Sequence, residues 1–386
     1  MVAVVVEHLS SVDDVAGSAW DGVADPRELF QSRAWLRALE RSGDAPVTYL
    51  IARQRGDPRI LAALPLHEVP PSRGDYLYWP ELHFQDLLSH SRGGRLGLLA
   101  GSCAGFGARL ILDRGLPAPV RTAVLRALRQ AADAVAAERG LPYTCFLFLG
   151  PSAWRDLAPV TGAGDAVRLA GVALTELELP GKDFDDYLAA LPRNTRTSVR
   201  RESAAFAREC ESLTVPLSEA LATVAPMIVN VRAKHGMAYG EATVRRRLAA
   251  YAAALGDESA TALLCRVRGR TVGAAVLCRW HDRLHVTDFG RLDDQAPDPF
   301  VYFNAVIYEP VRHAYAAGLS SVVTGAGAEL GKARRGAAIH PLLHLAWTAD
   351  ADRPIDTAPA DQRAHHWRTL RGAHPGYFHP AWDELL

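Results

Sequence analysis

One pattern occurs twice in this chain, and it constrains the fold more than any other feature. Tyr49–Leu66 reads YLIARQRGDPRILAALPL, and Leu263–Trp280 reads LLCRVRGRTVGAAVLCRW. Each is an apolar run, an Arg-Gly pair and a second apolar run. Arg55-Gly56 aligns with Arg268-Gly269, and Ala62-Ala63 aligns with Ala274-Ala275 after a one-residue gap. Two such runs around a glycine predict a hairpin, because glycine reaches positive φ without a Cβ clash. The downstream segments match as well. Val120–Gly150 is a helical pattern closed by Gly140 and followed by a strand. Val301–Gly327 repeats that order, with Gly318 closing the helix. Glycine just past the last periodic residue is the expected helix C-cap.

Each copy therefore predicts helix, hairpin, further strand, helix and strand. The implied fold class is α/β, with two tandem domains built on mixed sheets flanked by helices. The expected boundaries are 1–171 and 172–350. Residues 351–386 form a tail expected to pack on the second domain as irregular coil, with one short helix near His365 to Leu370. The length of 386 residues fits two domains at roughly 100–200 residues each. Apolar residues make up 49% and charged residues 22%, which excludes a disordered chain. The 43 basic and 43 acidic residues cancel, so a nucleic-acid partner has to be held by a local patch. Only Lys182, Lys234 and Lys332 are lysines, and arginine supplies the rest of the basic set.

Cys103, Cys145, Cys210, Cys265 and Cys278 are far apart and form no C-x-x-C pair, so they read as buried thiols. The six histidines after residue 339 lack the spacing of a metal site. No apolar run reaches about 18 residues, and Met1–Ser10 lacks a basic segment and carries Glu7. The expectation is a soluble cytoplasmic protein with no membrane or DNA partner and no bound cofactor. Neither a Walker loop nor G-x-S-x-G nor a Cys/His nucleophile pattern is present, so covalent catalysis is not required.

Three segments carry a family resemblance. Pro26–Leu66 places a Phe…Trp-Leu…Leu-Glu helix before the first hairpin. Leu188–Glu202, LAALPRNTRTSVRRE, resembles a Leu-Pro-x-x-x-Arg-x-x-x-Arg-Arg helix. Gly318–Ala338, GLSSVVTGAGAELGKARRGAA, resembles a strand followed by Gly…Lys-x-x-Arg-Gly. In this order they resemble the tandem GNAT-fold acyltransferases of the FemAB-like group. That resemblance implies an amide-forming N-acyltransferase using aminoacyl-tRNA as co-substrate, with the tRNA acceptor end and a small-molecule amine as partners. The product would belong to a specialised-metabolite or cell-wall-precursor pathway. An acyl-CoA donor is the alternative, and a non-catalytic tandem-GNAT binding module is the alternative of another class. A CoA enzyme needs backbone N–H groups at a helix start to hold a pyrophosphate. The junction Gly290–Glu309 instead carries three aspartates and two prolines, and Leu112–Val124 also has proline where a glycine nest would stand. This disfavours CoA.

The candidate catalytic residues are Asp288, which sits on the strand leading to the central helix and would orient or deprotonate the amine, and Tyr302 at the helix start. Tyr308 lies six residues on, about 240° away on an α-helical wheel, so it cannot face the same side. Pro192 should open a helix on which Arg193, Arg196 and Arg200 share a face. Those arginines, with Lys332, Arg334 and Arg335, are expected to contact the tRNA backbone. Pairing with Glu202 and Glu209 on a solvated face is the plainer reading of the same row. By the resemblance, His235 and Tyr239 lie beside the acceptor pocket. Asn304 stands near a position where relatives have an acidic residue, and Glu309 is the candidate to replace it.

Overall fold

A computed structural model describes residues 3–69, 76–84, 97–107, 110–161, 166–238, 240–292, 300–348 and 358–386. The chain divides into two compact units. The first contains strands β1 (Val4–Leu9), β2 (Val47–Gln54), β3 (Ile60–His67), β4 (Gly97–Ala100), β5 (Ile111–Leu112) and β6 (Tyr143–Leu149). Strand β7 (Ala166–Glu178) carries the chain into the second unit, which contains β8 (Glu211–Pro216), β9 (Ala260–Val267), β10 (Arg270–Trp280), β11 (Arg283–Arg291) and β12 (Ser321–Gly325). Strand β13 (Ala338–Trp347) returns the chain to the first unit.

The repeat seen in the sequence is a repeat of strand order. The first unit runs β1-β2-β3-β4-β6-β13, and the second runs β8-β9-β10-β11-β12-β7. In each, three antiparallel pairings are followed by one parallel and one antiparallel pairing. The glycines behave as expected. Gly140 (φ +66°) and Gly318 (φ +67°) end their helices in the same way. Leu141 N–H reaches back to Ala136 O at 2.8 Å, and Leu319 N–H reaches Ala314 O at 2.9 Å. Both bonds are the six-to-one bond of a Schellman cap. In the second hairpin both turn residues, Arg268 and Gly269, have positive φ, the geometry that matches strand twist. Pro192 opens the helix Arg193–Glu209.

The boundaries differ from those expected. Pro341–Pro375 and Pro380–Leu386 belong to the first unit, and only Gly376–His379 of the tail belongs to the second. The cause is apolar burial. β13 pairs with β6, and the Trp347 indole donates to Asp133 at 2.7 Å. Trp382 is fully buried against Trp367, whose indole donates to Gly171 O at 2.9 Å. The tail helix is also longer than expected, spanning Ala358–Ala373.

In the second unit, Val301–Phe303, Asn304–Tyr308 and Glu309–Ala316 form one continuous helical run whose middle segment is a π-turn. Val301, Ala305, Ile307, Val311 and Ala314 bury its inner face against Leu263, Ala275, Leu277 and Leu284 of the sheet. On β11, Gly290 is required. A Cβ there would stand 2.6 Å from Ile228 N and 2.7 Å from Met227 C in the helix Leu217–Lys234. Among the described residues no helix is long and apolar enough to cross a membrane.

Candidate active site

The second unit opens a crevice between two strands. β11 and β12 pair in parallel only from Arg283–His285 to Ser321–Val323. Beyond that point β11 continues to Arg291 along β10, while β12 follows β7 to Gly325. The strands therefore part at their carboxyl ends, which is where open α/β sheets receive ligands. On the β11 side a bulge places Thr287 outside the ladder, between Val286 opposite Leu277 and Asp288 opposite Val276. On the β12 side the chain turns through Gly325, Gly327 and Ala328, all at positive φ. The central helix starts at the same end from Phe300, an exposed aromatic in the left-handed region. For a bulky residue that backbone conformation is costly and is most common at functional sites.

Aromatic contacts cross from one side to the other. The Phe289 ring meets Tyr302 edge-on at 5.1 Å, and Tyr302 meets Phe303 at 5.1 Å. The Arg335 guanidinium lies 3.3 Å over Phe303. Burial, together with Glu329, pushes the Tyr302 phenol up to about 12. At neutral pH that hydroxyl is a proton donor and not a base.

Lys332 is buried, with 1% of its surface exposed. Its ammonium donates to Thr324 O at 2.7 Å, Ala326 O at 3.2 Å and Gly325 O at 3.3 Å. An ammonium has three donors, so all are spent on the end of β12 and the turn that begins there. Burial pulls its pKa down to about 8, with Glu329 opposing. The expected phosphate contact does not fit this position, where the side chain holds the crevice wall from beneath.

Arg335 is likewise turned inward. Nη2 donates to both oxygens of Glu202 at 2.8 Å, Nε donates to Tyr308 Oη at 2.6 Å, and Nη1 donates to Gly331 O at 2.9 Å. Tyr308 in turn donates to Glu202. Tyr308 belongs to this network, whereas the Tyr302 ring packs on Phe289 and Phe303. Glu202 was legible only as a partner for the neighbouring arginines of its own helix. Its real partner lies 133 residues on.

Asp288 is buried at the end of β11 and is bound by two guanidiniums, Arg232 and, at 3.4 Å, Arg247. Both donors engage Oδ1. The carboxylate therefore ties β11 to the helices Leu217–Lys234 and Glu241–Leu255. These contacts use Oδ1 alone, so two guanidiniums orient the carboxylate while its second oxygen is not engaged by them.

Of the arginine row, Arg193 and Arg200 are exposed, as are Arg201, Arg208 and Arg334. Arg196 differs. Its Nη2 caps its own helix entry, donating to Ala189 O at 2.9 Å and Leu191 O at 3.1 Å. Asn304 is fully buried and donates to Phe300 O at 2.9 Å, bracing the strained residue at the helix start. Glu309 accepts from Ser212 Oγ at 2.9 Å on β8, away from the crevice strands. His235 is exposed at the C-cap of the helix Leu217–Lys234. Tyr239 lies outside the described residues, as do the aspartates and prolines of 293–299. The five cysteines are buried, and burial pushes the Cys278 thiol up to about 12.

Residues 11–358 match the FemAB-like family, described by its role in peptidoglycan biosynthesis and recognition. No curated protein matches the chain in sequence. Among solved structures, FemX is similar over 89% of this chain and 97% of its own, at 10% identity and a TM-score of 0.55. A tandem GNAT protein from the clavulanic acid biosynthesis pathway is similar over 90% and 99%, at 13% identity and a TM-score of 0.52. The C-terminal domain of a putative lysylphosphatidylglycerol synthetase from Agrobacterium fabrum is similar over 87% and 92%, at 15% identity and a TM-score of 0.51. These likenesses show the tandem GNAT fold. The chain belongs to the FemAB-like family and is an acyltransferase.

Proposed function

We propose that this FemAB-like acyltransferase forms an amide by moving an aminoacyl group from aminoacyl-tRNA to the amine of a small molecule. A specialised-metabolite intermediate or a cell-wall precursor is the acceptor class in view. One observation carries the choice of donor. The helix Arg193–Glu209 has two chemically distinct faces. Val199, Glu202 and Phe206 are buried, and Glu202 anchors that side to Arg335 and Tyr308 beside the crevice. The other side exposes Arg193, Arg200, Arg201 and Arg208, whose guanidiniums have no hydrogen-bond or ion-pair partner among the described residues. Guanidiniums left unneutralised on a rigid helix suit a phosphodiester chain.

The chemistry asks little of side chains. The amine nitrogen attacks the ester carbonyl, the C–N bond forms, and the ribose oxygen leaves and takes up a proton. The enzyme supplies orientation and oxyanion donors. Tyr302, held protonated, is assigned as the side-chain donor for the leaving oxygen.

The test is ligand-linked stability. Aminoacyl-tRNA should raise the unfolding temperature at low salt and lose that effect as salt rises. Stabilisation by CoA and not by tRNA would assign a thioester donor instead. Tight small-molecule binding without turnover of either donor would leave a binding module.

A further inference from the structure

We infer that Arg335 is a positioning residue that couples the arginine-bearing helix to the wall of the acyl crevice, and that it does not touch the donor. The inference rests on the donor reading above and adds the internal link that reading lacks. Several elements meet at this one side chain. Its guanidinium holds both oxygens of Glu202, on the helix whose far face presents Arg193 and Arg200. It reaches Tyr308 Oη, in the π-turn of the central helix. It covers the ring of Phe303, which packs on Tyr302 and through it on Phe289 of β11. It also caps Gly331 O on the segment that places Lys332 under the β12 turn. Tyr187 donates to the Arg335 carbonyl at 2.7 Å, which fixes the backbone from which the side chain projects.

The parts joined are those that have to keep register during transfer. One is the exposed face available to the donor backbone. The other is the aromatic lining beside which the carbonyl would be attacked. Only a planar fork can serve Glu202 through two nitrogen–oxygen bonds and stack on a ring at the same time, so lysine is not a substitute. A misplacement of about 1 Å at a reacting centre lowers rate without lowering ground-state binding in proportion.

The experiment compares steady-state transfer by Arg335→Lys and Tyr308→Phe with Arg193→Ala/Arg200→Ala, using whichever donor the wild type turns over. Tyr308→Phe removes one hydroxyl and serves if Arg335→Lys folds poorly. The expected result is a fall in kcat of about tenfold or more for Arg335→Lys, with donor KM within a factor of about three and the slope of log KM against log salt unchanged. The paired alanine variant should leave kcat alone, raise KM and flatten that slope. If Arg335→Lys raises KM and flattens the slope as the alanines do, Arg335 contacts a phosphate and the inference is wrong. If both single variants lose only thermal stability and keep kcat, the network is structural and the inference is again wrong. Turnover with acyl-CoA alone would retire the tRNA reading, while the kcat comparison would still decide the role of Arg335. Turnover with neither donor would remove the inference as well.

Discussion

Replacing Arg335 with methionine tests the inward placement of this arginine most sharply. Methionine keeps the apolar reach over Phe303 and deletes the guanidinium. Glu202 is left with a side chain 6% exposed, and the hydroxyl of Tyr308 becomes its one remaining donor in the network. Gly331 O loses its donor as well. Removing one partner of a buried pair costs roughly 3–5 kcal/mol, because the other charge stays buried without compensation. The 13% exposure of the Arg335 side chain allows some water to replace it, so about 3 kcal/mol is expected. For a unit of this size that corresponds to a fall of roughly 6–12 °C in unfolding temperature. The double variant Glu202→Leu/Arg335→Met removes both charges. It should recover most of the loss, leaving a coupling energy of about 2 kcal/mol in the cycle. Denaturant unfolding of the four proteins measures this. A single variant within about 0.5 kcal/mol of wild type, as for an ordinary surface site, would refute the reasoning. So would strictly additive losses.

Three further outcomes are expected. Lys332 is charged in both states below pH 8. Between its folded pKa of about 8 and its unfolded value near 10.5 only the unfolded chain keeps the proton, so stability should rise with pH across that window. Unfolding measured at pH 7.5 and 10 should favour wild type over Lys332→Met by on the order of 2–3 kcal/mol more at the higher pH, and a flat difference would contradict the burial. Gly290→Ala should destabilise by roughly 1–3 kcal/mol, because its Cβ meets the backbone of Met227 and Ile228, which cannot swing aside as a side-chain tip would. Arg193→Ala/Arg200→Ala should lower the salt slope of donor binding by about 0.7–0.9 for each phosphate no longer neutralised, read by filter binding from 50 to 200 mM salt. An unchanged slope would place the RNA elsewhere.

Much of the framework was legible because its signals are local. Gly140, Gly318 and the Arg268-Gly269 turn are fixed by φ, and Pro192 by its missing N–H, so neighbouring residues suffice to predict them. The return of β13 to the first unit was not legible. It depends on which sheet edge the strand meets, and the aromatics that hold it, Trp347, Trp367 and Trp382, sit in or beside a tail with little periodicity. The surroundings of the charged candidates were not legible for a similar reason. Lys332 and Arg335 look like a basic surface turn in sequence. Their burial is set by three carbonyls at the end of β12 and just beyond it and by Glu202, a residue remote in the chain. Asp288 lies on the strand the pattern predicts, but its partners Arg232 and Arg247 come from helices whose docking no motif announces. The π-turn at Asn304–Tyr308 has no sequence signature that an α-helical wheel would register.

The most direct measurement is product formation with bulk charged tRNA and a panel of amines, followed by mass spectrometry, with and without ribonuclease added beforehand. An amide product that carries the mass of an amino acid and disappears with ribonuclease is the predicted result. A product that forms equally after ribonuclease treatment, or forms only when an acyl thioester is supplied, would contradict the account.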